Sequence, residues 1–216
     1  MKNKDIFILG AGGMARETYL IYIALKKSKF VKGFVINITN KKQNKIFDLP
    51  VTTEGVLTEN CLLIGGIGTP KRKNWINKLE ENQFKFDTLI HPTVPVNSSV
   101  KIGTGSIICV NSVLTCDINI GNHTIVNVNS SIHHDCQIGN FVTIGPGSNI
   151  AGKVNIKDES FIGAGVTIIP GINIGKSVYI GAGSTVISDI PDNFMAYGTP
   201  AKPIRKLTNR DWDKLI

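Results

Sequence analysis

The chain contains 216 residues, 42% of them hydrophobic and 19% charged, which is typical of a folded globular protein rather than a disordered or fibrous one. Its apolar runs are shorter than the roughly 18 residues of a membrane-spanning helix, and its start turns glycine-rich before a signal peptide can form, so we expect a cytoplasmic protein without membrane insertion. The formal net charge of +8 is uneven, with 15 Lys and Arg against 8 Asp and Glu in residues 1–88, 4 against 6 in residues 89–200 and 5 against 2 in residues 201–216. This change of sign predicts a boundary near residue 88 and anionic small ligands, whereas the widely spaced lysines argue against nucleic acid binding.

The first segment begins with a predicted β-strand at residues 5–9, a glycine turn and a helix from about residue 14 to residue 27. The turn contains Gly10, Gly12 and Gly13, and its spacing fits a loose dinucleotide-binding fingerprint. Backbone amides and a helix N-terminus at such a turn can bind a phosphate. A purely structural tight turn would explain the same glycines.

A second strand is predicted at residues 33–38. It contains Asn37 where a dinucleotide-binding fold has an acidic residue for the ribose hydroxyls, which disfavours NAD. A third strand, at residues 61–67, leads into another glycine turn that ends at Gly68. A second phosphate-facing turn is therefore possible at that point.

The helix predicted after Gly68, from about residue 70 to residue 82, carries Arg72 and Lys73 in its first turn. Either cation could face a phosphate, and the spacing does not choose between them. Two such strand-turn-helix units pointing the same way predict a half-Rossmann domain at residues 1–88, large enough for a nucleotide-sugar but too short for a full dinucleotide.

The second segment contains a six-residue repeat. Fifteen positions in steps of six are all aliphatic, and stepping backwards adds Val96 and Ile90. The fifteen anchors are Ile102, Ile108, Leu114, Ile120, Val126, Ile132, Ile138, Ile144, Ile150, Ile156, Ile162, Ile168, Ile174, Ile180 and Val186. The fourth position after each anchor is mostly small or apolar and predicts a second inward row. Gly, Asn and Asp between the rows indicate tight turns.

A chain that turns after every six residues can close into a triangular prism with 18 residues in each coil, which is a parallel β-helix. We predict about five coils between residues 90 and 190, in a β-helix domain at residues 89–200 that is followed by a tail at residues 201–216. Cys136 falls in the small inward row, so a nucleophilic thiol is disfavoured there. The four cysteines form no CxxC pair, and neither a disulfide framework nor a metal site is expected.

With this architecture, the stretches SSIHHDCQIGNFVTIGPGSNIAG (130–152) and YGTPAKPIRK (197–206) resemble the bacterial sugar O-acyltransferase family of the sialic acid O-acetyltransferase type. Members of that family include N-acetyltransferases of nucleotide-linked 4-amino sugars, of the bacillosamine and perosamine type. The resemblance implies a left-handed β-helix, a homotrimer with active sites between subunits, acetyl-CoA as co-substrate and a nucleotide-sugar bound by the N-terminal domain.

The same resemblance assigns residues. His134 matches the catalytic base and Asp135 the acidic residue beside it, and imidazole suits the role because it titrates near neutral pH. The predicted acetyl-CoA contacts are Asn127, Thr143, Gly152, Ala164, Ala182 and Lys202. The predicted nucleotide-sugar contacts are Gly10, Gly12, Gly13, Met14, Asn37, Gly68, Arg72 and Lys73.

The sequence departs from the family pattern in three places, one of which is a pair of residues. Met14 replaces a histidine of the nucleotide loop, Ile36 and Asn37 replace a pair of aspartates, and Thr143 replaces a second histidine. The first two changes bear on the identity of the base or sugar, whereas Thr143 could still donate a hydrogen bond to CoA.

The leading hypothesis is N-acetylation of a nucleotide-linked 4-amino-4,6-dideoxy sugar, with UDP as the expected nucleotide, in surface glycan or glycoprotein synthesis. The alternative is O-acetylation of a sugar hydroxyl such as that of sialic acid. A zinc hydratase is disfavoured because His123, His133 and His134 lack the required spacing, and His123 is expected to be solvent-exposed in a coil turn. A purely structural solenoid is the remaining hypothesis.

Overall fold

The computed structural model describes residues 4–37, 44–208 and 211–212, which form an α/β sheet followed by a β-helix. The strands of the sheet are β1 (Ile6–Leu9), β2 (Val31–Ile36), β3 (Lys45–Ile46), β4 (Leu49–Thr53), β5 (Leu62–Gly65) and β6 (Lys85–Phe86). The helices are α1 (Gly13–Ala24) and α2 (Arg72–Glu81), with short 3-10 helices at Ser28–Phe30 and Glu54–Val56. The three strands predicted from the sequence correspond to β1, β2 and β5, and residue 38 of the second prediction lies outside the described residues.

The strand order is β3-β4-β2-β1-β5-β6, and all of these pairs are parallel except β3 with β4. The chain moves outward from β1 in one direction through β2 and then in the other through β5. This reversal between β1 and β5 is the switch point of a doubly wound sheet, where ligands bind beyond the carboxyl ends of the strands. The predicted half-Rossmann arrangement is confirmed.

From Leu89 the chain forms a prism with three flat faces. The first face contains β8 (Lys101–Ile102), β11 (Asn119–Ile120), β14 (Gln137–Ile138), β17 (Asn155–Ile156) and β20 (Asn173–Ile174). The second contains β7 (Leu89–Ile90), β9 (Ile107–Ile108), β12 (Ile125–Val126), β15 (Thr143–Ile144), β18 (Phe161–Ile162) and β21 (Tyr179–Ile180). The third contains β10 (Val113–Leu114), β13 (Ser131–Ile132), β16 (Asn149–Ile150), β19 (Thr167–Ile168) and β22 (Thr185–Val186). Neighbouring strands within each face are parallel, which confirms the predicted β-helix.

Three corners join the faces. The first corner connects the first face to the second, the second corner connects the second face to the third, and the third corner leads from the third face to the next coil. The third corner is therefore the vertex opposite the second face. The last coil ends in β23 (Phe194–Gly198), parallel to β21, and β24 (Ala201–Lys206), which folds back antiparallel to β23.

The interior of the prism follows the predicted rows. Fourteen of the fifteen anchors are buried, and Ile102 packs partly buried against the same core. In the second inward row, buried hydroxyls donate hydrogen bonds of 2.7 to 2.9 Å to backbone carbonyls 15 residues later. These bonds satisfy polar atoms that would destabilise the folded state if they were buried without a partner. These pairs are Ser106 with Gly121, Ser112 with Asn127, Thr124 with Gly139, Ser130 with Gly145, Ser148 with Gly163 and Ser160 with Gly175.

The backward extension of the repeat to Val96 is wrong. Val96 is 40% exposed because residues 91–100 form turns and irregular chain in place of a closed coil. Ile90, in contrast, packs against the core.

The outward row of the second face explains where the α/β sheet docks. On the first face the outward residues are Lys, Asn or Gln, whereas Ile107 and Ile125 on the second face are apolar. Both are fully buried in one cluster with α1 residues such as Ala15 and Ile21. The N-terminal domain thus covers this apolar stripe, and α2 also contacts the first corner of the prism as far along as Glu159.

Candidate active site

His134 lies in the third corner of the prism, one coil above Cys116 and one coil below Gly152. The backbone fixes this column, because the Asp135 N–H donates to the Cys116 carbonyl at 3.3 Å and the Lys153 N–H donates to the His134 carbonyl at 2.8 Å. Asp135 adopts a left-handed conformation with φ of 62°, which turns its carboxylate back toward the imidazole. His134 Nδ1 is 2.8 Å from Asp135 Oδ2.

This pairing sets the chemistry of the imidazole. With Nδ1–H donating to the carboxylate, Nε2 keeps its lone pair as a proton acceptor. Both side chains are about half exposed, at 54% and 51%, so an incoming substrate can reach Nε2. The adjacent His133 is also exposed, but its neighbouring carboxylate pairs with His134.

Gly152 packs directly against this imidazole. A Cβ placed on Gly152 would lie 2.5 Å from His134 Cε1 and 2.6 Å from Nε2, closer than real carbon contacts allow. Within the described chain, the Gly152 N–H donates to no acceptor, whereas its carbonyl accepts from the Gly171 N–H at 3.0 Å. A free N–H therefore stands beside the proposed base.

Gly152→Ala is expected to lower kcat/KM for acetyl transfer by about 100-fold, because the methyl group displaces the imidazole from its catalytic geometry. The measurement is steady-state kinetics of thiol release. Gly55→Ala is the control, since a Cβ on Gly55 meets nothing within 4 Å. Full activity of the Gly152 variant would contradict the proposed position of the base.

The second corner carries the other predicted CoA contacts along one edge. Asn127 lies in that corner two coils before Ala164, and Ala182 lies one coil after Ala164. The N–H groups of Ala164 and Ala182 donate to no acceptor in the described chain. The first corner differs, because Asn122, Asn140 and Asp158 side chains accept the corresponding N–H groups one coil below. Lys202 is exposed on β24, opposite Tyr197. The second corner thus offers open donors to a ligand.

The predicted nucleotide turns meet at the switch point of the sheet. Gly10 has φ of +101°, and a Cβ there would lie 2.9 Å from Ile67 Cγ1, so only glycine fits between the two turns. Gly12 precedes α1 and Gly13 begins it; both have open space around them, and no side chain caps the helix N-terminus. Met14 Cβ is 4.0 Å from a Cβ built on Gly68. Uncapped amides facing open space suit a phosphate.

A cavity of about 680 Å³ lies at the carboxyl edge of the same sheet. It brings together two predicted residues, Asn37 after β2 and Lys73 of α2, and Trp212 lines another side. The Lys73 ammonium is 2.8 Å from the Glu159 carboxylate in the first corner, so its charge is already paired. The volume of this cavity is within the usual range for small-molecule sites.

Arg72 does not have the predicted role. It is 98% buried between α2 and the first corner, and its guanidinium donates to the carbonyls of His123 at 2.7 Å and Val142 at 2.9 Å and to Thr143 Oγ1 at 2.8 Å. Burial lowers the pKa of this side chain to about 9. Its guanidinium is bonded to the β-helix and buried from solvent, so Arg72 joins the two domains and does not face an open phosphate site.

Thr143, which the sequence predicts to contact CoA, is also buried between the two domains. Its hydroxyl is buried under the N-terminal domain and donates to the Gly68 carbonyl at 2.9 Å while accepting from Arg72. The residue therefore ties the second glycine turn to the β-helix.

The expectation that His123 is exposed is wrong, although it does occupy a coil turn. The ring is 2% exposed, stacks on Phe141 at 5.0 Å and contacts the edge of Phe86. Its Nε2 is 2.9 Å from Glu80 Oε1 of α2, and burial lowers the pKa of the imidazole. No sequence pattern within the repeat announces this burial, because α2 supplies the cover.

No group of His, Cys, Asp or Glu among the described residues could hold a metal ion. Over the same ranges no helix is long and apolar enough to cross a membrane. Cys136 points inward as predicted, with its thiol directed at the Ala151 carbonyl, and burial raises the pKa of that thiol.

Neither a protein-family model nor a curated protein sequence matches this chain. Among solved structures, PerB from Caulobacter crescentus in complex with CoA and GDP-perosamine is 29% identical, with a TM-score of 0.83 over 93% of this chain and 97% of PerB. The acetyltransferase domain of PglB from Neisseria gonorrhoeae is also 29% identical, with a TM-score of 0.84 over 93% of this chain and 100% of that domain. WeeI from Acinetobacter baumannii, at 24% identity and a TM-score of 0.85, shares the fold.

An acetyltransferase built on a hexapeptide-repeat β-helix is the class of enzyme that this fold and these likenesses define. Within that class, the chain is similar to a perosamine N-acetyltransferase from Caulobacter crescentus, at 28% identity and a TM-score of 0.84.

Proposed function

We propose that this protein transfers the acetyl group of acetyl-CoA to the amine of a nucleotide-linked 4-amino-4,6-dideoxy sugar. The observation that carries the proposal is the half-exposed His134–Asp135 pair beside the free N–H of Gly152, in a chain with an open glycine-turn site for a nucleotide. The similar solved structures support this proposal, because PerB binds CoA and GDP-perosamine and the PglB domain binds acetyl coenzyme A. The uridine nucleotide expected from the sequence stays a prediction.

His134 acts as the general base. Nε2 accepts a proton from the amine as the nitrogen attacks the thioester carbonyl carbon, and Asp135 stabilises the imidazolium that forms. The new C–N bond forms, the C–S bond breaks, and CoA leaves as a thiolate that takes up the proton. The Gly152 N–H donates to the oxyanion of the tetrahedral intermediate. No enzyme nucleophile is required.

The second corner binds the donor. The open N–H groups of Ala164 and Ala182 donate to the amide oxygens of the pantetheine arm, while Asn127 and Lys202 lie toward its two ends. The glycine turns at Gly12, Gly13 and Gly68 bind the diphosphate of the acceptor, with Asn37 facing the nucleoside and Met14 lying between the turns.

The active site forms between subunits of a homotrimer. The N-terminal domain covers the second face, whereas His134 lies on the opposite corner, so one chain keeps its base and its nucleotide turns apart by the width of the prism. Direct transfer needs the amine within about 3.5 Å of the thioester carbon. Because the base and the nucleotide turns of one chain are on opposite sides of the prism, a neighbouring chain supplies the second half of each site.

A substrate panel tests the activity. We expect acetyl-CoA-dependent thiol release with a 4-amino-4,6-dideoxy sugar linked to UDP, GDP or dTDP, with clear preference for one nucleotide. Release of thiol only with a sugar hydroxyl acceptor such as sialic acid would replace N-acetylation by O-acetylation. If no acceptor is acetylated and CoA does not bind, the remaining hypothesis is a purely structural solenoid.

Subunit complementation tests the shared site. Gly12→Asp should fold, because aspartate is a favourable residue before a helix, and its charge should repel the diphosphate. A trimer that contains both Gly12→Asp and His134→Ala chains has one intact site of three, so mixed trimers are expected to recover about one third of wild-type activity, although each variant alone is inactive. No recovery in mixed trimers isolated by two affinity tags would contradict a site between subunits.

A further inference from the structure

We propose that Phe161 and Tyr179 form the platform for the acceptor sugar ring, and that Phe161 contacts its apolar face and its C6 methyl group. This inference rests on the proposed function, since it names where the substrate of that reaction lies. Neither residue belongs to the predicted site, and both are on the outward row of the second face, outside the apolar cluster that joins this face to the N-terminal domain.

The two rings form a stack at the edge of the domain. Their centroids are 5.2 Å apart and their planes differ by 6°, and both side chains are half-buried. Trp212 contacts Tyr179 edge-on at 6.2 Å. Tyr179 covers one face of the Phe161 ring, so the other face is directed toward the preceding coil, which carries the short side chain of Thr143.

That free face adjoins the second glycine turn. Thr143 pairs with Phe161 in the sheet, about 4.8 Å away along the prism, and the Thr143 hydroxyl donates to the Gly68 carbonyl. Gly68 has no side chain to fill the space between the turn and the ring. A flat apolar surface therefore lies next to one of the two turns that would bind the diphosphate.

The strand order sets the direction of the substrate. In a doubly wound sheet the diphosphate binds at the switch point, here between β1 and β5, and the nucleoside extends over the strand that follows the first helix, here β2 with Asn37. β2 and β5 lie on opposite sides of β1, so the sugar extends past β5. The turn after β5 ends at Gly68, whose carbonyl accepts from Thr143, the sheet partner of Phe161.

The chemistry of the platform selects the sugar. An aromatic face has no strong hydrogen-bonding group for a hydroxyl but packs well against C–H groups and a methyl. A 6-deoxy hexose presents such a methyl, whereas the corresponding 6-hydroxy sugar would place a hydroxyl against the ring and lose its bond to water. The platform thus favours the dideoxy substrate over its 6-hydroxy analogue.

Phe161→Ala is expected to lower kcat/KM for the nucleotide-linked 4-amino-4,6-dideoxy sugar by about 10- to 200-fold, the range that loss of an apolar contact in a pocket produces. The dissociation constant of the nucleoside diphosphate alone, measured by calorimetry, should stay within about 2-fold, and the preference over the 6-hydroxy analogue should disappear. Phe161→Tyr should retain the wild-type preference. The control is Phe47→Ala, which removes an exposed aromatic residue stacked on Tyr19 at 5.4 Å, away from the turns.

Three outcomes would overturn the platform. Unchanged kcat/KM in Phe161→Ala would show that Phe161 does not contact the sugar. An equal loss in binding of the nucleoside diphosphate would show that it contacts the nucleotide. A change only in KM for acetyl-CoA would show that it contacts the pantetheine arm. If the wild-type protein acetylates a nucleotide-linked amino sugar, any of these three results contradicts the platform alone and leaves the proposed function standing. If the wild type acetylates no nucleotide-linked amino sugar, both the function and the platform are wrong.

Discussion

Replacing His134 by alanine is expected to lower kcat/KM for acetyl transfer by about 100- to 10,000-fold, the usual contribution of a general base. The variant loses the Nε2 that accepts the amine proton, while the alanine leaves its turn intact because the His134 carbonyl still accepts from the Lys153 N–H. The side chain is half exposed and contributes little to the core, so the melting temperature should be unchanged. Steady-state kinetics and circular dichroism measure the two quantities.

His133→Ala is the matched control for this prediction. His133 is exposed one residue away, and Asp135 pairs with His134 instead. The control should keep nearly all of its activity. If His134→Ala retained full activity on the true substrate, the proposed mechanism would be wrong even with the substrate confirmed.

The other large effect concerns stability. Arg72→Met is expected to lower the free energy of unfolding by about 2 to 4 kcal/mol, because it leaves the buried His123 carbonyl without a donor and removes the second donor of the Val142 carbonyl, which keeps the Ile125 N–H at 2.9 Å. Removing the charge relieves some desolvation, but methionine fills a similar volume and cannot donate, so the loss of these hydrogen bonds outweighs that relief. Urea unfolding followed by circular dichroism measures the change.

Lys78→Met on the exposed side of α2 serves as the comparison, and it should change stability by less than about 1 kcal/mol because its ion pair with Glu54 is solvent-exposed. Because Arg72 also holds Thr143 against Gly68, we expect KM for the nucleotide-sugar to rise in Arg72→Met as well. Equal stability of the Arg72 and Lys78 variants would show that the interdomain hydrogen bonds contribute nothing net.

The repeat could be predicted from the sequence because each coil is specified locally. An aliphatic anchor every six residues, with a small residue four positions later, determines which side chains face inward wherever it occurs. The rule failed at Val96, where the spacing continues but the coil does not close. A six-residue period in sequence alone cannot show where the first coil begins.

The contacts between domains could not be predicted in the same way. Arg72 lies at a helix start, where a cation often binds phosphate, and His123 lies in a coil turn, where side chains are often exposed. Each is nevertheless buried by a segment that is distant in the sequence. A usable signal was present in the outward rows. Every third strand carries Ile107, Ile125, Thr143, Phe161 and Tyr179 at its outward position, and this row marks both the docking face and the aromatic pair.

The antiparallel return of β24 has a consequence for the whole particle. A stack of parallel coils exposes an unpaired strand edge at its end, onto which another stack could add without limit. Here β24 is the last strand of the sheet on the second face, and it carries Pro203 together with Lys202 and Lys206. Proline lacks a donor, and the two lysines of one such end would repel those of another. The hairpin therefore ends this face, and it opposes growth of the coils into a fibre along that edge.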